Sequence, residues 1–319
     1  MSPEIDSCSV CDRFNVAIKE ARANNDDAKL KLTTDHRKAK AGQEAIGSAT
    51  KEAIGNQGTF VITFDLQRAL PTPKLSTGPT FYKKKLFCYN FNIHSTYPTQ
   101  GYFYIWDESI AGRGAVEIES CLLKHFEMNN IEGTKLIAIS DNCIGQNKNW
   151  TLMAVWLRFF ASGYLKKIVH IFPQVGHTVL PSDRNFVLLE NYVRAHCQFM
   201  YDPNGREVLK KSQKKTPCKQ PTTTNASFDI RDAVMMEFSS DDLSTLHATY
   251  TYDGLMLPVS LRKRGRPTSF GTPFLEELPL KYDSPLAIEN SELQHVLSCL
   301  QWIPSVYHPF YNNLIPEEN

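Results

Sequence analysis

The chain has 319 residues, of which 42% are hydrophobic and 22% are charged, and 35 basic side chains against 34 acidic ones give a formal net charge of +1. This composition excludes a wholly disordered chain and a global positive charge that would bind polyanions. No apolar run reaches the roughly 20 residues that a membrane span needs, and the N-terminus is polar and acidic, so we expect a soluble protein without a secretory signal.

The cysteines indicate the redox environment. Eight are scattered along the chain apart from the close pair Cys8 and Cys11, and others such as Cys88 and Cys121 lie inside apolar runs. This distribution favours free thiols in a reducing compartment over a disulfide framework.

Composition divides the chain into three regions. Residues 1–57 are charged and rich in Ala and Lys, which predicts a helical N-terminal extension. Residues 58–201 are dense in aromatic and β-branched side chains and are expected to form the folded core. Residues 202–319 open with a basic, Thr-rich linker and continue as short apolar segments separated by Pro and Gly, which predicts an irregular C-terminal appendage.

Within the core, the apolar patterning predicts the element order βββαβαβα. The predicted strands are 59–64, 81–94, 102–106, 135–139 and 167–172, and the predicted helices are 114–128, 150–161 and 181–196. This is the order of a ribonuclease-H-like α/β domain, with a three-strand meander joined to parallel strands in a mixed sheet and helices on both faces. Ordinary α/β folds share its second half.

Acidic residues stand at the ends of three of these elements. Asp65 directly follows the first predicted strand, Asp141 follows the fourth, and Asp183 opens the last helix. If the first and fourth strands are neighbours, Asp65 and Asp141 lie side by side, where they repel unless a cation intervenes. Mg²⁺ or Mn²⁺ suits such an oxygen-rich site, and two ions can stabilise the attacking and leaving oxygens of a phosphoryl transfer.

Each acid also has a structural explanation, since an Asp after a strand often forms a turn or caps a helix. Glu190 is an alternative third acid, because it lies two helical turns after Asp183 on the same face. His177, in the preceding loop, is a candidate phosphate or water contact and is equally an ordinary loop histidine.

Uncharged polar residues surround Asp141. Asn142, Gln146 and Asn147 are candidates for orienting metal-bound waters or a nucleic-acid strand. Cys143 lies in the same loop, but no local arrangement of His and acid supports a cysteine nucleophile.

Four groups of motifs carry a resemblance. They are FDLQ (64–67) with LPTP (70–73), YNFNIH (89–94), SDNC (140–143) with GQN (145–147), and GHTVLPSDRNF (176–186). Together they resemble a family of uncharacterised proteins that are abundant in arthropod and other animal genomes, carry a domain of unknown function and look transposon-derived. The resemblance spans residues 8–311.

The resemblance implies the chemistry of acidic-triad (DDE/DDD-type) transposases and integrases. Asp65, Asp141 and Asp183 match the motif acids, and Asp183-Arg184 resembles the acid-Arg pair that opens the last catalytic helix of integrase-like enzymes. Complete family members have a longer N-terminal region with DNA-binding character, and this chain begins almost at the Cys-x-x-Cys motif. This departure favours a truncated or host-adopted copy over an autonomous transposase.

Two further motifs lie outside the core. Cys8 and Cys11 have the spacing of two Zn²⁺ ligands, and His36 is a candidate third ligand, although no fourth is visible and an exposed thiol pair remains the alternative. A basic segment resembles the core of an AT-hook, although a single copy favours the alternative of a basic, solvated turn. Its cationic residues are Arg262, Lys263, Arg264 and Arg266.

The resulting expectation is a transposase-derived protein that cleaves or transfers DNA strands. Its partner is DNA, no small-molecule substrate is predicted, and a homo-oligomer is left open. The basic clusters favour a nuclear location, otherwise a cytoplasmic one. Two alternatives stay open: a catalytically inactive module that binds DNA or protein, and a ribonuclease-H-like nuclease acting on RNA.

Overall fold

A computed structural model describes residues 13, 16–17, 19–20, 28–56, 58–75, 78–129, 133–161, 163, 165–174, 180–196, 220–221, 228–261 and 281–318. The helices are α1 (Ala28–Gly55), α2 (Ala115–Asn129), α3 (Trp150–Ala161), α4 (Pro181–His196), α5 (Asn290–Leu297) and α6 (His308–Asn312). The strands are β1 (Thr59–Leu66), β2 (Leu70–Thr72), β3 (Leu86–Ser95), β4 (Gln100–Asp107), β5 (Gly133–Ser140), β6 (Leu165–Ile171), β7 (Gln220–Pro221), β8 (Met235–Ser239), β9 (Thr245–Thr249) and β10 (Leu257–Ser260).

The protein is a mixed α/β structure built on one sheet. β1 pairs antiparallel with β3 and parallel with β5, while β4 pairs antiparallel with β3 and β6 pairs parallel with β5. These five strands therefore stand in the order β4-β3-β1-β5-β6. The antiparallel meander and the parallel strands were both predicted from the sequence.

Both faces of the sheet are covered because β1 is apolar at odd and even positions, and side chains alternate between the faces of a strand. On one face Phe64 packs in the larger core with Trp156 of α3. On the other face Val61 packs with Ala49 of α1. No helix in the described part of the chain has both the length and the apolar character needed to cross a bilayer.

Two strand boundaries differ from those predicted. β1 continues to Leu66, which pairs with Phe91 of β3, so Asp65 lies within the strand rather than after it. β3 begins only at Leu86, because Phe81 and Tyr82 are 77% and 87% exposed in a turn. The short strand β2 was not predicted, since it has three residues and includes a proline.

The expectation of an irregular C-terminal appendage is wrong for residues 235–260. β8 pairs antiparallel with β6, β9 pairs with β8, and β10 pairs with β9, so these strands continue the central sheet. Strands of four or five residues carry too few alternations to reveal a period of two, and β10 also contains Pro258. α5 and α6 belong to a separate apolar cluster that includes Leu86 of β3.

Candidate carboxylate site

Asp65 and Asp141 lie side by side near the carboxyl ends of β1 and β5, two adjacent strands in the interior of the sheet. Phe64 of β1 is paired with Ser140 of β5 in parallel register, and each aspartate is the next residue along its chain. The pKa of the Asp65 carboxyl is raised to about 7, chiefly by burial and also by the negative charge of Asp141, against the opposing effect of the Leu66 N–H. Neighbouring carboxylates at half-buried strand ends resist simultaneous ionisation.

Asp183 joins this electrostatic group from the first turn of α4. Its Oδ2 accepts a hydrogen bond of 2.8 Å from the backbone N–H of Leu180, the residue before the helix, as in a capping box. Burial raises the pKa of Asp183, the Leu180 N–H lowers it, and the charge of Asp141 raises it. The charge of Asp183 in turn contributes to the raised pKa of Asp65.

Each of the three carboxylates is anchored through one oxygen. Asp65 Oδ1 accepts from the Leu66 N–H at 2.8 Å, and Asp141 Oδ1 accepts from the Cys143 N–H at 3.2 Å and from the Asn147 amide. Hydrogen bonds from described residues reach neither the second oxygen of Asp65 or Asp141 nor Oδ1 of Asp183. One oxygen of each group is thus fixed in direction by a donor of the described chain.

The three aspartates do not form a ready-made cage. Within the described ranges, the His, Cys, Asp and Glu side chains include no group of three or more arranged to hold a metal ion. The aspartates influence one another's protonation without converging as three direct ligands of a single ion.

Glu190, the alternative third acid, has a different set of contacts. Its Oε1 accepts a hydrogen bond of 2.6 Å from the amide of Gln67, whose Oε1 accepts one of 2.8 Å from Asn90. The charges that shift the pKa of Asp65 are those of Asp141 and Asp183, and Glu190 is not among them. The contacts therefore favour Asp183 over Glu190.

The loop after β5 is a compact hydrogen-bonded unit. The Cys143 carbonyl accepts from the backbone N–H groups of Gln146, Asn147 and Lys148 at 3.3, 2.7 and 3.0 Å. Asn149 Oδ1 caps α3 by accepting from the backbone N–H groups of the next turn. These hydrogen bonds hold the loop that follows Asp141 in a defined conformation.

The polar residues next to Asp141 have specific partners. Asn147 donates its amide to Asp141 and its Oδ1 is buried with no hydrogen-bond partner in the described part of the chain. Gln146 donates to the Arg113 carbonyl at 3.3 Å. Asn142 donates to the Pro173 carbonyl and accepts from Lys148. Asn147 thus orients a candidate acid directly, while Asn142 and Gln146 join the loop to its surroundings.

Cys143 is a poor nucleophile in this setting. Burial raises the pKa of its thiol, and the charge of Asp141 raises it further. Because the thiolate is the reactive form, these surroundings agree with the sequence-based rejection of a cysteine enzyme.

A buried histidine contacts the strand that carries Asp141, and sequence reasoning missed it. Trp156 Nε1–H donates to His170 Nδ1 at 3.2 Å, which places the ring proton on Nε2, 3.0 Å from Ser140 Oγ. The Ser140 hydroxyl donates to the Asp141 carbonyl at 3.2 Å. Burial lowers the pKa of His170 to about 3, so the ring is neutral and its role is to hold the backbone at the strand end.

α4 lies on a polar patch of the sheet that sequence reasoning also missed. Asn185 Nδ2 donates to Asn92 Oδ1 at 2.8 Å and lies 3.1 Å from His94 Nδ1. Asn92 is the β3 partner of Asp65 in the antiparallel register. The alternation of polar residues at 90, 92 and 94 within an otherwise apolar strand was the available signal for a polar helix contact.

Other predicted site residues lie elsewhere. His36 is in α1, and its Nδ1 is buried without a hydrogen-bond partner among the described residues. The remaining candidates fall outside the described residues and are His177, Cys8, Cys11, Arg262, Lys263, Arg264 and Arg266.

The comparisons with known proteins add no family. The chain matches no protein-family model, and comparison with the curated proteins and with the solved structures finds no match either.

Proposed function

We propose that this chain is a transposase-derived protein with a ribonuclease-H-like core, which cleaves or transfers DNA strands at Asp65, Asp141 and Asp183 with Mg²⁺ or Mn²⁺. The observation that carries the proposal is the parallel pairing of Phe64 with Ser140, which sets two carboxylates side by side, Asp65 near the end of β1 and Asp141 just after β5. The strand order β4-β3-β1-β5-β6 supports the ribonuclease-H-like assignment. The motif resemblance supports the transposase origin.

The donor set fits a hard divalent cation. Mg²⁺ is commonly held by one or two carboxylates, with waters and substrate phosphates completing its octahedral coordination. Asp65 and Asp141 would supply the carboxylates, since each has an oxygen that accepts no hydrogen bond from described residues. Asp183 would act through a water or as a ligand of a second ion. A bound cation would also relieve the repulsion between the Asp65 and Asp141 carboxylates, which adds to the effect of burial in raising the pKa of Asp65.

The protein's own residues position the reaction. Asn147 and the Cys143 N–H fix one oxygen of Asp141, and the Leu66 N–H fixes one of Asp65, so both carboxylates point in defined directions. When bound, the cation would supply charge stabilisation at the phosphate and lower the pKa of an attacking water or 3′ hydroxyl. Burial and the charge of Asp141 raise the pKa of Asp183, and a carboxylate with a raised pKa is a stronger general base.

A second candidate function is a catalytically silent binding module. It is favoured by the finding that the described His, Cys, Asp and Glu side chains form no group of three arranged around a metal. Such a module would keep the sheet and its contacts without turnover.

Nicking of supercoiled DNA by the full chain with 5 mM Mn²⁺ tests the proposal. We expect cleavage that EDTA abolishes and that Asp141→Asn lowers by at least about 100-fold, whereas Glu237→Gln, in a partly exposed pair with Lys167, retains it. Cleavage of RNA alone would assign the nuclease to RNA. If the chain cleaves neither substrate and binds no Mn²⁺, the result would favour the catalytically silent binding module.

A further inference from the structure

Lys148 is a buried cation directly behind the Asp141 loop. The residue is 3% exposed, and its Nζ donates to Asn142 Oδ1 at 2.9 Å. The same ammonium lies 5.1 Å from the centre of the Phe172 ring, where a cation–π contact adds to its binding. The Lys148 side chain is thus almost wholly withdrawn from solvent, and its hydrogen bond to Asn142 is part-buried.

Asn142 links Lys148 to the ends of two strands. Its Oδ1 accepts from Lys148, and its Nδ2 donates to the carbonyl of Pro173, just beyond β6. Because both ends of the amide are engaged, its orientation is fixed. Asn142 is also the residue after Asp141, so the Lys148–Asn142–Pro173 chain ties the end of β5 to the end of β6 beside the candidate acid.

Negative charges that favour the ionised form of Lys148 lie in the segment before β8. The pKa of the Lys148 ammonium is lowered to about 8, chiefly by burial, while the charge of Asp232 and then that of Asp229 act in the opposite direction. Asp229 is itself in an ion pair with Arg231, and Asp232 is the larger of the two influences on Lys148. A buried ammonium without such charges would be costly, so the segment before β8 stabilises the cation behind the loop.

The same segment packs against the start of α3. Phe228 lies edge-on to Trp150, with ring centres 6.0 Å apart, and Trp150 begins the helix that follows the loop. The end of the loop at Lys148 is therefore flanked by the ends of β5 and β6 and by the chain that leads into β8.

From these contacts we propose that Lys148 is a positioning residue for the carboxylate site, which holds Asn142 and with it the backbone of Asp141, and that Asp232 supplies its counter-charge. The segment that leads into the C-terminal strands is then a required part of the site. The effect on metal binding rests on the proposed function of Asp141, whereas the effect on loop order does not.

The experiment compares full-length Lys148→Met, Asp232→Asn, the double variant and Lys167→Met. Lys167 is the matched control, because it forms a partly exposed pair with Glu237 on neighbouring strands. Mn²⁺ affinity is measured by isothermal titration. Hydrogen exchange is measured on peptides covering residues 141–149, which contain the Cys143, Asn147 and Lys148 amides bonded within the loop.

We expect Lys148→Met to weaken Mn²⁺ binding by at least about tenfold and to speed exchange across residues 141–149, with no such change in Lys167→Met. Asp232→Asn should act in the same direction by a smaller factor, and the double variant should be no worse than Lys148→Met, because Asp232 is proposed to act only through the charge of Lys148. If Lys148→Met does not fold, the Mn²⁺ affinity and the loop exchange of Asp232→Asn alone decide whether Lys148 has a positioning role.

Wild-type Mn²⁺ affinity and wild-type loop exchange in Lys148→Met and Asp232→Asn would overturn the positioning role. Additive effects in the double variant would overturn the counter-charge. If the wild-type chain binds no Mn²⁺, the proposed function fails, and the exchange measurement still decides whether Lys148 holds the loop.

Discussion

Asp65 and Asp141 occupy equivalent positions on adjacent parallel strands, each one residue beyond the pair formed by Phe64 and Ser140. The strand register thus places two carboxylates next to each other near the carboxyl ends of β1 and β5. The pKa of Asp65 is raised to about 7, chiefly because the carboxyl is buried. Such an arrangement lowers the stability of the fold at neutral pH, since the native state disfavours an ionised group that water would solvate in the unfolded chain.

Asp65→Asn is therefore expected to stabilise the protein. The folded pKa of Asp65 lies above its ordinary value of 3.8, so the contribution of this carboxyl to stability falls as pH rises through about 7. The substitution removes the titration and keeps the acceptor for the Leu66 N–H. We expect the free energy of unfolding in urea, without metal, to rise by about 1–2 kcal/mol at pH 8 and by less at pH 5.

Asp253→Asn is the matched control, because Asp253 is exposed. It should change the free energy of unfolding by less than about 0.5 kcal/mol at both pH values. A loss of stability at pH 8 in Asp65→Asn would contradict the repulsion inferred for this pair of carboxylates.

The third acid is distinguished by comparing Asp183→Asn with Glu190→Gln. Asp183 is coupled by charge to Asp65 and Asp141, whereas Glu190 is held by the Gln67 amide. We expect Asp183→Asn to weaken Mn²⁺ binding by about tenfold and Glu190→Gln to leave it within about twofold. Isothermal titration checks both, and the opposite ranking would assign the third position to Glu190.

Particular residues show how much of this site could be predicted from sequence. Asp65 and Asp141 were found because each ends a run of apolar residues that predicts a buried strand, although the predicted end of β1 fell two residues short of the observed one. The bounds predicted for α3 and α4 coincide with those observed, since both segments have clear helical periodicity.

The remaining parts of the site depend on contacts between distant residues. Nothing local marks Lys148 as buried, because its environment comes from Phe172 and Asp232. The pairing of Gln67 with Glu190 joins residues 123 positions apart. The strands β8 to β10 are each too short for their alternation to be distinguished from a loop.

Asn147→Asp tests the support of Asp141. The Asn147 side chain is fully buried, and its Nδ2 donates to Asp141 Oδ1. A carboxylate at this position would face another carboxylate without a proton between them, so we expect the free energy of unfolding to fall by about 2–3 kcal/mol at pH 8. Asn312→Asp, at an exposed position, should change it by less than about 0.5 kcal/mol. Equal effects of the two variants would contradict the orienting role.

Lys281→Met tests the attachment of the C-terminal region to the core. Lys281 donates to the Glu117 carboxylate, whose side chain is 1% exposed and also accepts from the Gly114 N–H and the Tyr282 hydroxyl. Removing the cation leaves a buried carboxylate without its ion-pair partner, so we expect a loss of about 2–3 kcal/mol at pH 7. Lys84→Met is the matched control, because the Lys84–Glu289 pair is about half exposed, and it should cost about 0–1 kcal/mol.

The pH dependence of this loss provides a separate check. Burial acts to raise the pKa of Glu117, but Lys281 and the backbone donors outweigh it, and the net shift is downward. A carboxyl with a lowered folded pKa contributes stability above its ordinary range, and that contribution is lost as pH falls through the folded pKa. The difference between wild type and Lys281→Met should therefore shrink below about pH 4, and a constant difference from pH 7 to pH 3 would contradict the ion pair.

Glu108→Gln tests an acid pair between the end of β4 and α5. The pKa of Glu108 is raised to about 7, chiefly by burial and also by its interaction with the Glu292 carboxyl, against the Phe87 N–H. Because the folded pKa is raised, the pair stabilises the protein at low pH and this contribution is lost as pH rises from about 4.5 to about 7. We expect the wild-type free energy of unfolding to fall over this window by about 1 kcal/mol more than that of Glu108→Gln, since solvent screens a half-buried pair. Urea titrations at pH 5 and pH 8 measure the difference, and parallel pH profiles for the two proteins would rule out a shared proton.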